Sequence, residues 1–274
     1  MQKKYFYLLI CSVLLAACGT EPANIETTGN KAPKPDPVPE LSYTVKAKFP
    51  HDTLAFTEGF LFHEGLLFES TGSPDNLPQM KSFIGTVDLE TGRINKKVEL
   101  DKQYFGEGIS ILNGKLYQLT YKGHIGFVYD LKNFRQLMRF NVESEEGWGM
   151  TTDGKNLIMS DGTNFLTYLD PVTLKPIKKL AVSNAGYAED NLNELEYING
   201  FIYANIWTKD YIVKIDTASG KVVGLLNLSG ITDEAKRNYR NAEVLNGIAY
   251  DPASDKILVT GKMWKNIYQV EFSH

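Results

Sequence analysis

The sequence predicts an all-β fold: a five-bladed β-propeller with the N-terminal strand closing the last blade. Three observations carry that prediction. A strand–turn–strand unit recurs five times between Phe56 and Thr260, each copy opening on a short motif rich in Gly, Glu or Asn. A second unit, a strand ending in Asp with a turn and an outgoing strand, recurs at Asp88, Asp130, Asp170 and Asp216, spaced 42, 40 and 46 residues apart. Four strands per unit at a period in the forties is the pattern of propeller blades. Finally, 15 Tyr, 14 Phe and 3 Trp in 274 residues favour strands over helices.

The chain starts with an address. Lys3 and Lys4 precede an apolar run, Tyr5 to Ala17, that is too short to span a bilayer as a mature helix. Residues 1–17 therefore read as a signal peptide. The run ends Leu15-Ala16-Ala17-Cys18-Gly19, which resembles the bacterial lipoprotein box, with Cys18 the lipidated first residue. Cys11 lies in the cleaved part, so the mature chain has no second thiol for a disulfide, and stability must come from the core. Residues 18–40 contain Pro22, Pro33, Pro35, Pro37 and Pro39 with few large apolar residues, and read as a disordered tether. The expected location is the cell envelope, with the lipid on the periplasmic face or the outer membrane of a bacterium. Loss of Lys3 and Lys4 takes the formal charge from −4 to about −6, so nucleic acid is not an expected partner. A monomer is expected.

Residues 41–274 form the propeller. Its first units run Gly59–Gly65 into Leu66–Ser70, Gly108–Gly114 into Lys115–Thr120, Gly149–Gly154 into Asn156–Ser160, Leu195–Gly200 into Phe201–Asn205, and Gly247–Pro252 into Lys256–Thr260. Asn-Gly and Asp-Gly pairs suit the tight hairpin turns, because both residue types tolerate positive φ. In the second units the Asp side chain can bond backbone two residues on and start the turn. The fifth copy ends at Ile267–Phe272 with no outgoing strand, and Tyr43–Phe49 has no partner of its own, so Tyr43–Phe49 is expected to complete the last blade and remove its free edge. A helix is expected only over Thr232–Arg240, capped by Thr232 or Asp233 and inserted between blades over one face. Asn76–Met80 reads as a loop insertion.

The starts of the five innermost strands converge on the central channel. That convergence groups Glu58, Glu107, Trp148, Asn193 with Glu194, and Asn246, rimmed by Tyr121, Trp207, Lys262 and Trp264. Of these, Glu194 reads as structural, and so does Asp161 in its Ser-Asp-Gly turn. Metal chemistry has little support: His51, His63, His124 and His274 show no ligand spacing and no cysteine is usable. A hard-ion site of carboxylates and carbonyls stays open as a reading. There is no Gly-x-Ser-x-Gly elbow and no phosphate loop. What is left is carboxylate acid–base work in an aromatic pocket, without a cofactor.

Seven motifs carry a resemblance to a known family. They are Phe105-Gly106-Glu107-Gly108, Gly147-Trp148-Gly149, Ser160–Thr163, Asn193–Glu196, Ala204–Trp207, Leu245–Tyr250 and Thr260–Trp264. In this order they resemble the glutaminyl-peptide cyclotransferases of the plant and bacterial type, which are five-bladed propellers. The resemblance runs from Phe56 to Trp264. It implies conversion of an N-terminal glutamine of a peptide or protein to pyroglutamate, with release of ammonia. It also implies Glu107 as general base and then acid, Asn193 and Lys262 as oxyanion donors, and Phe56, Trp148 and Trp207 as substrate-binding walls. The glycines around Glu107 are expected to leave room for a peptide N-terminus. Two positions depart from the plant pattern. Glu58 stands for a glutamine, where it could hold the substrate ammonium and raise one pKa of a carboxylate pair with Glu107. Tyr121 stands for a tryptophan, keeping an aromatic surface and adding a hydroxyl. The alternatives are a non-catalytic, membrane-tethered propeller that binds peptide N-termini or an envelope partner, and a metal-dependent lactonase-type hydrolase.

Overall fold

The computed structural model describes residues 37–274. The expected signal peptide, lipidated Cys18 and most of the expected tether lie outside the described residues. Strand β1 (Tyr43–Pro50) comes first but belongs to the last sheet. Blade one is β2 (Thr57–His63), β3 (Leu66–Thr71), β4 (Phe83–Val87) and β5 (Ile94–Glu99); blade two is β6 (Gly106–Leu112), β7 (Lys115–Thr120), β8 (Ile125–Asp130) and β9 (Gln136–Asn141). Blade three holds β10 (Met150–Thr152), β11 (Leu157–Met159), β12 (Phe165–Leu169) and β13 (Pro176–Ala181). A small hairpin follows, β14 (Ser183–Asn184) with β15 (Tyr187–Ala188), which the sequence pattern did not signal. Blade four is β16 (Leu192–Ile198), β17 (Phe201–Ile206), β18 (Tyr211–Asp216) and β19 (Val222–Asn227). Helix α1 (Ser229–Asn238) leads to β20 (Leu245–Asp251), β21 (Lys256–Gly261) and β22 (Asn266–Phe272), and β1 pairs with β22 to complete blade five. Tyr43 lies opposite Phe272 and Pro50 opposite Asn266, so the first and last strands among the described residues close the ring as expected.

Local chemistry explains the blades. Glu64-Gly65, Asn113-Gly114 and Asn199-Gly200 all have positive φ at both positions, the backbone that a two-residue hairpin needs. The repeated aspartates start the outer turns: the Asp88, Asp130, Asp170 and Asp216 carboxylates accept backbone N–H groups of Thr91, Lys132, Thr173 and Ser219 at 2.7–3.0 Å. Hydrogen bonds from Thr91, Thr173 and Ser219 hold Asp88, Asp170 and Asp216 below the usual carboxylate range.

Burial falls from the axis outward. Every residue of β6 is buried, whereas in β9 only Phe140 is. The core lies between neighbouring blades. Leu61, Phe68 and Ile84 of blade one pack with Ile109, Ile111 and Phe127 of blade two, and Phe60 and Leu67 pack with Ala249, Leu258 and Ile267 across the closing seam. Each of these Leu, Ile and Phe side chains contributes about 1.5–3 kcal/mol by leaving water. Ahead of β1, Leu41 donates to the Leu225 carbonyl at 2.7 Å and Leu225 donates to the Pro39 carbonyl at 2.9 Å, so Pro39–Leu41 runs along the edge of β19.

The helix lies between blades as expected but differs in its start. It begins at Ser229, with Leu228 at the N-cap and no side-chain cap, and Thr232 is buried inside it. Packing decides this: Leu228, Ile231 and Ala235 enter a cluster shared by blades four and five, and that apolar contact outweighs the cap that Thr232 or Asp233 could have made. Glu234 fastens the exposed side, accepting from Lys48 at 2.6 Å and from the Tyr268 hydroxyl at 3.3 Å.

Candidate active site

The innermost strands do not run in regular register to their ends. In blades one, two, four and five the pairing slips where the strand begins: between Thr57 and Gly59, Gly106 and Ile109, Leu192 and Leu195, and Leu245 and Ile248. Each slip is a bulge with one residue extra, and a bulge re-aims side chains that a regular strand would alternate between its faces. The bulged residues are Glu58, Glu107 with Gly108, Asn193 with Glu194, and Asn246 with Gly247. In blade three Trp148-Gly149 occupies the corresponding place, just ahead of β10.

These bulges are packed against one another around the axis. A Cβ on Gly108 would stand 2.5 Å from the Trp148 carbonyl oxygen and the Met150 nitrogen, and one on Gly149 would collide with the Asn193 carbonyl. The glycines therefore serve contact between blades, not room for a peptide as the sequence suggested. Hydrogen bonds stitch the same ring. Gly108 donates to the Trp148 carbonyl at 2.7 Å, the Ser70 hydroxyl to the Glu107 carbonyl at 2.6 Å, and the Ser160 hydroxyl to the Asn193 carbonyl at 2.7 Å.

Above the ring opens a cavity of about 970 Å³. Glu107, Asn193, Lys262, Phe56, Glu58, Tyr121, Trp148 and Trp207 all line it. Phe56, Phe105 and Tyr121 form one aromatic wall, with centroid spacings of 6.1 and 5.8 Å. Trp148 and Trp207 form another, edge to face at 5.7 Å. Gly162, at φ +79°, lets the Trp148 ring lie against its backbone, and Glu146 accepts the Trp148 Nε1–H at 3.0 Å.

The charged groups interact strongly. Lys262 Nζ lies 2.6 Å from Glu58 Oε1 and 4.6 Å from the Phe56 ring centroid, and both charged side chains are almost wholly buried. Glu58 Oε2 receives the Asn246 amide at 3.3 Å, so both its oxygens are engaged. Burial pushes the Glu58 carboxyl up to about 7, against the pull of Lys262. Burial also pushes the Glu107 carboxyl well above the ordinary range; the Glu58 charge adds to the rise, Lys262 opposes it, and Glu146 adds a little more. Among the described residues no hydrogen bond reaches the Glu107 carboxyl. Asn193 Oδ1 is buried without a hydrogen-bond partner among the described residues.

Comparison with known proteins bears on what such a site is for. The sequence pattern of glutamine cyclotransferases matches residues 12–272. The chain belongs to the glutamine cyclotransferase family. It is 41% identical over 229 residues to the glutaminyl-peptide cyclotransferase of Arabidopsis thaliana, covering 83% of this chain and 70% of that one. The crystal structure of Myxococcus xanthus glutaminyl cyclase superposes with a TM-score of 0.79 at 33% identity, over 87% of this chain and 99% of that chain. The chain is thus an enzyme of the cyclotransferase class.

Within this cyclotransferase the structure separates cavity residues from their supports. Trp264, expected at the rim, is fully buried: its Nε1 donates to the Glu243 carbonyl at 2.9 Å and its ring meets Tyr268 edge on. Met263 at φ 62° breaks the strand alternation there, so Lys262 faces the cavity while Trp264 enters the core. Asn246 stands behind the cavity, donating to the Thr57 carbonyl at 2.9 Å as well as to Glu58. Glu194 spans the axis and accepts the backbone N–H groups of Ile248 at 2.8 Å and Phe60 at 3.2 Å, a structural part as expected. Asp161 lines the cavity but is bound by Ser144 and Thr163. Sequence reasoning missed Phe105, Glu146, Asn191 and Glu243 as lining residues. The first two were readable as flanks of the Glu107 and Trp148 motifs; the other two sit in loops without a repeat signal.

Proposed function

We propose that the chain converts the N-terminal glutamine of peptides or proteins to pyroglutamate and releases ammonia, with Glu107 as the proton carrier. One observation carries this reading: a buried carboxyl with a raised pKa faces a cavity that also holds Asn193 and Lys262. The substrate α-amine, with a reference pKa of about 7.7–8.0, must lose a proton before it can attack. Glu107 takes that proton. The amine nitrogen then bonds to the side-chain amide carbon, closing the five-membered ring and placing negative charge on the amide oxygen. Asn193 and Lys262 donate to that oxygen. Glu107 returns its proton to the departing nitrogen, the carbon–nitrogen bond breaks as the carbonyl reforms, and the released ammonia carries off the surplus proton of the ring nitrogen as ammonium, leaving neutral pyroglutamate. Because both its oxygens are engaged, Glu58 serves to hold Lys262 in place. The aromatic walls take the aliphatic stem of the glutamine and exclude water.

The test is ammonia release and the matching loss of mass when the protein is incubated with Gln-peptides. Folded protein that forms no product overturns the reading, and saturable binding without ammonia would favour the non-catalytic alternative. Chelators should leave the rate unchanged.

We also propose that the mature chain begins at a lipidated Cys18 and acts in the bacterial cell envelope. Support comes from the sequence around Cys18 and the proline-rich run that follows it. Cys18→Ser should move the protein from the membrane to the soluble fraction and remove the lipid from its N-terminal fragment; unchanged membrane recovery would overturn the anchor.

A further inference from the structure

The cavity carries more acid than the proposed chemistry uses. Glu58, Asp75, Glu107, Glu146, Asp161 and Glu243 line it, against three lysines. Most of these carboxyls are spoken for or lie open to water. Glu58 is taken by Lys262 and Asn246, and Asp161 by Ser144 and Thr163. Asp75 and Glu243 are exposed on loops. Glu146 is different. Its Oε2 is fixed by the Trp148 indole N–H at 3.0 Å, its Oε1 lies 3.9 Å from Lys122, beyond hydrogen-bond reach, and the Tyr121 hydroxyl beside it is pushed up by burial and by the charge and hydrogen bond of this carboxylate. Its side chain is only 25% exposed, and the Tyr121, Trp148 and Trp207 rings line the same cavity.

A partly buried carboxylate with no lysine within hydrogen-bond reach among the described residues, set among aromatic faces, is what recognises an organic cation. A second observation points the same way. Asn193 Oδ1 is an acceptor with no donor among the described residues, and Asn193 lines this cavity. An ammonium supplies donors as well as charge.

We propose that Glu146, with the Tyr121, Trp148 and Trp207 rings, receives the α-ammonium of the incoming N-terminal residue. This rests on the cyclase reading and adds the group that selects a free amine. The cation docks at Glu146, its positive charge partly offset by the carboxylate and the ring faces, and its proton then passes to Glu107. Lys122, whose Nζ lies 4.7 Å from the Tyr121 ring centroid, competes for the same carboxylate from the solvent side.

The experiment is a binding titration, followed by tryptophan fluorescence, with two peptides that begin with norleucine, a residue that cannot cyclise. One has a free amine and the other is N-acetylated. The wild-type protein should bind the free amine about tenfold more tightly. Glu146→Gln keeps an acceptor for the indole N–H but loses the charge, and should bring the two affinities within about twofold. Retained discrimination in Glu146→Gln overturns the proposal. Lys122→Ala provides a second measurement on a surface position: it should tighten the free-amine peptide alone, and no change in that peptide likewise counts against the site. Ammonia release is measured separately on Gln-peptides. Amine selectivity without turnover would overturn the cyclase reading and leave this site standing; turnover without amine selectivity would do the reverse.

Discussion

His51 is the place to test how the ring is held shut. It follows β1 directly, and its side chain and that of Glu69 are wholly buried. Its Nε2 lies 3.0 Å from Glu69 Oε1 in blade one, and its Nδ1 lies 3.0 Å from the Trp264 carbonyl in blade five. Both ring nitrogens face acceptors, so the doubly protonated imidazolium is the form that satisfies them together. Burial pulls the His51 pKa down, but the charge and hydrogen bond of Glu69, the Trp264 carbonyl and the Asp52 charge outweigh it, and the net shift is upward. His51→Leu leaves the Glu69 carboxyl buried with, among the described residues, only the Thr57 hydroxyl at 2.7 Å. Removing one member of a buried pair costs about 3–5 kcal/mol. At roughly 2–4 °C per kcal/mol for a domain of this size, the melting temperature should fall by about 10 °C. The sign with pH follows from the raised folded-state pKa. The stabilisation is fully present below the unfolded histidine value of about 6.5 and is lost as pH rises through the folded value, so the deficit of His51→Leu should be largest near pH 6 and shrink toward pH 9. The assay is thermal unfolding by circular dichroism across that range, with His51→Leu/Glu69→Leu alongside. The double variant should recover most of the loss, because a buried charge is no longer stranded. A deficit under about 1 kcal/mol at pH 6, or one that grows with pH, would refute the latch.

Three further outcomes are expected. Glu107→Gln should cut turnover by about three orders of magnitude. Its melting temperature at pH 8 should match or exceed that of the wild type. The raised pKa means that ionising Glu107 disfavours the folded state as pH rises above the ordinary carboxylate range, and glutamine removes that penalty. Melting curves at pH 5 and pH 8 check the sign. Gly149→Ala should cost about 2–3 kcal/mol in urea unfolding and lower turnover with it, because the added methyl meets the backbone that carries Asn193. Glu194→Ala strands the Phe60 and Ile248 amides, and should cost about 2–6 kcal/mol by the same measurement.

The architecture was legible because its signals are local and repeated. Asp88, Asp130, Asp170 and Asp216 each make the turn that their residue type favours, and the missing partner of Tyr43–Phe49 pointed to ring closure. Much of the cavity lining was legible for a topological reason: the starts of the innermost strands converge on the axis, although Asn246 and Glu194 there support the cavity without lining it. What stayed hidden depends on contacts across blades. Nothing in the spacing of Lys262 and Trp264 reveals that positive φ at Met263 sends one to the cavity and the other to the core. Nothing in the Thr232–Arg240 pattern reveals that Leu228 and Ile231 seat the helix a turn early. The glycines misled for the same reason, since the groups that crowd Gly108 come from Trp148 and Met150 of the next blade.

The bulges explain how one repeat yields different chemistry in different blades. A regular strand would alternate its side chains, so Asn193 and Glu194 would point to opposite faces of the sheet. The extra residue lets Asn193 line the cavity while Glu194 reaches across the axis to two backbone amides below it. The second role supports the first. Glu194 ties blade four to blades one and five, and Ser160 holds the Asn193 carbonyl from blade three, so Asn193 is fixed from three directions. Glu107 has its backbone held by Ser70 while its carboxyl is governed by burial and charge. Under the proposed mechanism this carboxyl changes protonation state twice per turnover and is best left without fixed hydrogen-bond donors, because each donor to the ionised form would lower its pKa. The ring therefore supplies rigid backbone and leaves this side chain in the state that the proposed proton exchange requires.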